Sequence, residues 1–144
     1  SDRDEYFLGS THFARQYRRQ PPAHRYSAGV LLDMVADARL SVYQERYSKS
    51  WAPSLVTEIW STAQRLGVRE FIPRVAYAVE DDHLPLYRIA RIPVVDVIDF
   101  AYPDTTNRYW HTMADAPENC SADSLDKVGR VISHWLHGRF LHSP

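Results

Sequence analysis

Little in this sequence offers covalent or phosphate chemistry. Cys120 is the single cysteine among 144 residues, which excludes an internal disulfide and any C-x-x-C redox or metal motif. Its place before a helix reads as that of a small packing residue. Glycine is scarce, with five in the chain, and none falls into a G-x-G-x-x-G turn, a phosphate loop or a G-x-S-x-G nucleophile elbow. No apolar stretch approaches the roughly 20 residues of a membrane helix. No charged-then-apolar leader opens the chain either, although "SDRDEYFLGS" lacks an initiator Met and enters a helix almost at once. Neither sign of charge dominates. With 17 basic against 18 acidic residues the formal net charge is -1, too even to steer the whole protein to nucleic acid or an anionic membrane. The densest basic run, "RQYRRQ" at 15–20, reads as a solvated helix face.

What is present is an ordinary globular balance, 44% hydrophobic and 24% charged, in a length that suits one domain with a real core. Phe7, Phe13, Ala14 and Tyr17 share one face of a helix that ends before "QPP" at 20–22. Gly9 inside it implies a close packing contact or a late helix start. Val30, Leu31, Leu32 and Val35 form a short apolar run expected as a strand buried on both faces. Pro53 opens the clearest helix, Leu55, Ile59, Ala63 and Leu66 give its inward stripe, and Gly67 ends it. "EFIPRVAYAV" alternates Val75, Tyr77 and Val79 as a strand does, and "IPVVDVIDF" at 92–100 reads as a second buried strand. Ser121 is the expected N-cap of the last helix, with Asp123 in its first turn. Leu125, Val128, Ile132, Trp135 and Leu136 are the expected buried face. No internal repeat or low-complexity segment appears. Helices alternating with buried strands predict α/β layers around a largely parallel sheet.

Three places hold candidate chemistry. Asp33 interrupts an apolar strand, where a carboxylate costs several kcal/mol unless it is paired or metal-bound. "VEDDHLPL" at 79–86 sets three acids and a histidine after a strand, and ligands of α/β sheets gather at the carboxyl ends of strands. "YWHTMAD" places His111 after Trp110 and four residues before Asp115. Carboxylates with an imidazole are a ligand set zinc accepts, but three scattered residues form no spacing motif. His134, His137 and His142 crowd the last helix and tail, where imidazolium is mildly favoured, so an adventitious metal site is the lesser reading. His12 and His24 give no signal.

"LLDMVAD", "DDHLP", "RIPVVDVIDF" and "YWHTMADAPENCSADSLDKVG", in that order, resemble the zinc-dependent aminopeptidase and glutaminyl cyclase family, its bacterial cyclase-like members above all. The likeness runs from about "YFLGSTHFA" to Leu136, nearly the whole chain. It implies the phosphorylase/hydrolase-like zinc exopeptidase fold, a three-layer α/β/α arrangement with a mostly parallel mixed sheet. His111 falls on the family's metal-binding His of W-H-T. Asp33 falls on an Asp that is a second-metal ligand in the aminopeptidases and a hydrogen-bonding carboxylate in the cyclases. Asp81 falls on an active-centre Asp, and with Asp82 it is expected to be catalytic. His83 lies beside them and is expected to bind substrate, together with Trp110 and Tyr102, which fall on aromatic positions that line the substrate pocket.

The sequence departs from the family pattern twice. Ala36 stands where Gly is usual. The family's first His, its metal-bridging Asp and its Glu-Glu pair all precede the helix that begins this chain. Residues 1–144 are therefore expected to be the C-terminal portion of one zinc-peptidase-like catalytic domain, an incomplete version of that fold. The resemblance implies one or two zinc ions in the intact family and too few ligands for tight zinc in this chain. It implies a peptide or protein N-terminus as substrate, with cyclisation of an N-terminal glutamine expected first. Aminopeptidase action is the alternative, and a non-catalytic fragment a third reading. A secreted or periplasmic location would fit such relatives. A halved domain is also expected to expose a sheet edge that invites self-association.

Overall fold

A computed structural model describes residues 6–141. In chain order the elements are α1 (Leu8–Arg19), β1 (Gly29–Asp33), β2 (Val42–Gln44), α2 (Arg46–Trp51), α3 (Pro53–Arg65), β3 (Phe71–Val75), α4 (His83–Ala90), β4 (Val94–Ile98) and α5 (Ala122–Leu141). The strands form two parallel pairs, β1 with β4 and β2 with β3. Gly29 stands opposite Val94 and Asp33 opposite Ile98. The pairs meet where the Ser41 N–H donates to Asp99 Oδ2 at 2.6 Å, just beyond the end of β4.

Alternation in β4 explains the layers. Val95 and Val97 point into a core made with Val56, Ile59 and Ala63 of α3 and Val128, Val131 and Trp135 of α5. The other face of β4, which carries Asp96, looks toward α4, and α4 packs on α1. This is the mixed α/β architecture with parallel sheet expected from the sequence. The core is anchored by polar contacts as well. Trp60 Nε1 donates to the Ile72 carbonyl at 3.0 Å, and Glu58 Oε2 accepts from Trp135 Nε1 at 2.9 Å and from Arg139 at 2.7 Å. Among the described residues no helix is long and apolar enough to cross a membrane.

Several local expectations are corrected. Nothing lies within 4 Å of a Cβ built at Gly9 and α1 starts before it, so that glycine marks neither a close contact nor a late start. β1 is only half buried, with Leu32 46% exposed, because it has a strand on one side alone among the described residues. β3 stops at Val75, since Tyr77 takes a left-handed φ of 54° that leaves strand geometry. On α5, Leu125 and Leu136 are exposed and Val131 is buried; the helix meets α3 along a narrower stripe than its apolar residues could cover. Cys120 is exposed and contributes its backbone, in a bridge to Asp37, rather than its side chain.

Candidate active site

The carboxyl end of β1 and the turn before α4 bring two acids together. Asp33 ends β1, in register with Ile98. Asp81 sits in the loop 80–82, between the segment after β3 and α4, close enough to Asp33 to act on its carboxyl. Burial and the neighbouring Asp81 charge push the Asp33 carboxyl above its ordinary range, with the Met34 N–H and, to a lesser degree, His111 pulling it back. His111, far from Asp33 in the chain, thus acts on it electrostatically.

Behind this pair lies a second cluster that sequence reasoning missed. Glu45, His83 and Asp96 are each at most 1% exposed. His83 Nε2 stands 3.4 Å from Glu45 Oε2 and His83 Nδ1 stands 3.7 Å from Asp96 Oδ2. Those distances are electrostatic contacts rather than aligned hydrogen bonds, and both Asp96 oxygens and both His83 nitrogens lack a hydrogen-bond partner. Burial, then the charges of Asp81, Glu45 and Asp33, push Asp96 up to about 8. Glu45 goes the other way. Burial alone would raise it, but His83 and the N–H groups of Ser48 and Tyr47 hold its carboxyl below the usual range. One signal was available in the sequence: "VVDVIDF" places Asp96 inside an apolar strand, the same anomaly that singled out Asp33.

His83 is the clear correction. It was expected beside the substrate, yet it opens α4 with its ring fully enclosed between two acids, where no substrate can reach it. Asp82, expected to be catalytic with Asp81, directs its carboxylate to Ser10 Oγ at 2.6 Å and so ties the acidic loop to α1. Asp81 Oδ1 accepts from the Asp82 N–H, also at 2.6 Å.

His111 lies in the loop after β4, is exposed and adopts a left-handed φ of 57°. Trp110 stacks on that ring with centroids 4.0 Å apart and is itself 44% exposed. The stack is held from behind. Trp110 meets Phe100 edge-on at 5.7 Å, Phe100 meets Tyr77 at 5.6 Å, and Tyr77 meets Tyr43 of β2 at 5.8 Å. Tyr102 is buried, and its hydroxyl donates to Asp115 at 3.0 Å. It braces the loop from inside.

A catalytic zinc takes at least three protein ligands. Among the described residues no group of three His, Cys, Asp or Glu side chains is placed to hold a metal. The described residues by themselves do not fit a zinc centre.

A family model described as Peptidase family M28 matches residues 3–136. The structure is similar to that of the glutaminyl cyclase of Porphyromonas gingivalis, with a TM-score of 0.84 and 32% identity. That match covers 96% of this chain and 51% of the other. A Zn-dependent exopeptidase from Parabacteroides distasonis is similar at a TM-score of 0.77 and 30% identity, over 87% of this chain and 43% of that one. The glutaminyl-peptide cyclotransferase of Boiga irregularis is 36% identical over 60 residues, which are 42% of this chain and 15% of that protein. The chain thus spans about half the length of the bacterial cyclase.

Proposed function

Because this chain belongs to peptidase family M28, we propose that it is the C-terminal portion of a single catalytic domain that acts on peptide N-termini, as a glutaminyl cyclase does. The observation that carries this reading is the Asp33–Asp81 pair at the carboxyl end of β1, facing the His111 loop, in a fold similar to that of a bacterial glutaminyl cyclase.

In cyclisation the peptide's own α-amine attacks the side-chain amide carbon of its terminal glutamine. A C–N bond forms, the bond to the amide nitrogen breaks, and a proton moves from the attacking nitrogen to the departing ammonia. Neighbouring carboxyl groups suit that transfer, since a carboxylate accepts a proton and a carboxylic acid donates one. Asp81 holds the attacking or leaving nitrogen, and Asp33 shares the proton. Orientation supplies much of the rate when both reacting groups belong to one substrate. Trp110 forms an aromatic wall for a single terminal side chain. A complete zinc site would draw further donors from outside the described residues.

The test is turnover of glutaminyl and leucyl peptides by a family-length form of the protein and by the 144-residue chain. The family-length form is expected to cyclise glutaminyl substrates and the chain alone to show little or no turnover. Asp81→Asn is expected to lower kcat by about 10²–10⁴-fold, the usual worth of a general acid or base. Release of leucine without cyclisation would favour the aminopeptidase reading, which the similarity to the exopeptidase supports. Robust turnover by the chain alone would overturn the two-part site, and inactivity of both forms would leave a non-catalytic domain.

A further inference from the structure

We infer that Glu45 is a positioning residue that grips the acidic loop 80–82 at both ends and thereby fixes where Asp81 meets Asp33. Glu45 caps α2, a role an Asp or Ser side chain can perform with a shorter reach. Its Oε1 accepts from Tyr47 N–H at 2.9 Å, and its Oε2 accepts from Ser48 N–H at 2.6 Å and Ser48 Oγ at 2.9 Å. Those contacts serve the helix. The surplus reach goes elsewhere: Oε1 also accepts from Val79 N–H at 3.2 Å, and Oε2 stands 3.4 Å from His83 Nε2.

Val79 and His83 are the residues that flank the loop. One buried carboxylate therefore holds both of its ends, and three residues fixed at each side keep little conformational freedom. The approach is prepared by backbone pairing, Ala76 N–H to the Gln44 carbonyl and Arg46 N–H to the Tyr77 carbonyl, each at 3.0 Å. The same brace reaches β4, because Ser48 Oγ accepts from the Asp96 N–H at 2.9 Å. Glu45 touches neither Asp81 nor any substrate surface. It acts through the loop.

The assignment rests on the role proposed above for Asp81, and Glu45→Asp separates the two. Aspartate keeps a good cap for α2 but is too short to reach Val79 and His83 as well. Expected for E45D are an unchanged circular dichroism spectrum and amide exchange at Val79 and residues 82–84 about tenfold faster, the worth of one buried hydrogen bond. Amides of α3 and β4 should keep their protection. In a form that turns over peptide, kcat should fall by about 10–100-fold with KM within about threefold. E45D should cost nothing further in an Asp81→Asn background, because both changes remove the same function. Unchanged loop exchange in E45D overturns the inference, as does a kcat loss that adds fully to that of D81N. If E45D itself does not fold, His83→Gln releases only the far end of the loop and must reproduce the faster exchange. A wild type without turnover would remove the reading of Asp81, while the exchange measurement would still decide whether Glu45 holds the loop.

Discussion

Asp96 keeps its proton into the neutral range because three other acids and an enclosing core surround it, and that has a consequence for folding. In the unfolded chain the group releases its proton near its ordinary value of 3.8, whereas in the fold it holds it to about 8. Between those values the folded state binds more protons than the unfolded state, so raising the pH favours unfolding. The stability contributed below pH 4 is lost progressively up to about pH 8. Asp33 and Asp99, both raised by burial, act in the same direction. Glu45, held low, acts only in the acid range. Asp96→Asn isolates the one contribution, since an amide of similar shape has no proton to lose. The thermal midpoint of wild type should fall from pH 5 to pH 8 more steeply than that of D96N, and D96N should be the more stable protein at pH 8. Parallel midpoint curves for the two proteins would show that Asp96 is ionised in the fold.

At the scale of elements, β1 matters because Asp33 is its last residue, and its distance from β4 is set at its first. A Cβ added to Gly29 would lie 3.0 Å and 3.3 Å from the two γ-carbons of Val94, a buried side chain with little room to move. Gly29→Ala is expected to cost about 1–3 kcal/mol, the usual penalty of overpacking. In urea unfolding, Val94→Ala should recover part of that loss, so the double variant is more stable than the two single costs added together. Strict additivity would mean that the strands do not press on each other there. Elements of this length were legible in the sequence where composition and periodicity agreed. Pro53 starts α3, Leu55, Ile59 and Ala63 are buried along it, and Gly67 ends it with a φ of 71°. β4 showed as an apolar run and is buried throughout. β2 and α2, three and six residues long, are too short to display a period, and Glu45 was hidden with them. The outer positions of the site stood out in the sequence, since chain order around Asp33, Asp81 and His111 carried the resemblance. Its inner half was not. Whether His83 faces a substrate or two buried acids depends on which side of α4 meets β4, and that is a tertiary fact.

At the scale of the whole molecule, the same strand that carries Asp33 leaves a problem on its other side. Among the described residues β1 pairs only with β4, so its outer N–H and C=O groups face away unmatched. Beside that edge runs a groove of about 460 Å³ lined by Tyr26, Val30, Ile132, Leu136 and Phe140. Leu32, Leu136 and Phe140 are 46%, 45% and 73% exposed. An unpaired strand flanked by apolar surface is a template for another chain. The isolated chain is therefore expected to self-associate, with a mass in light scattering that rises with concentration. A lysine on the edge strand opposes such pairing, because joining two copies would bring the charges together and strip them of water. Leu32→Lys should lower the mass toward that of a monomer with the circular dichroism spectrum unchanged. If a family-length form covers the β1 edge, it should show no concentration dependence with or without the substitution. A wild-type chain that stays monomeric at every concentration would mean that the edge is already blunted, and the sheet would then be stable as it stands.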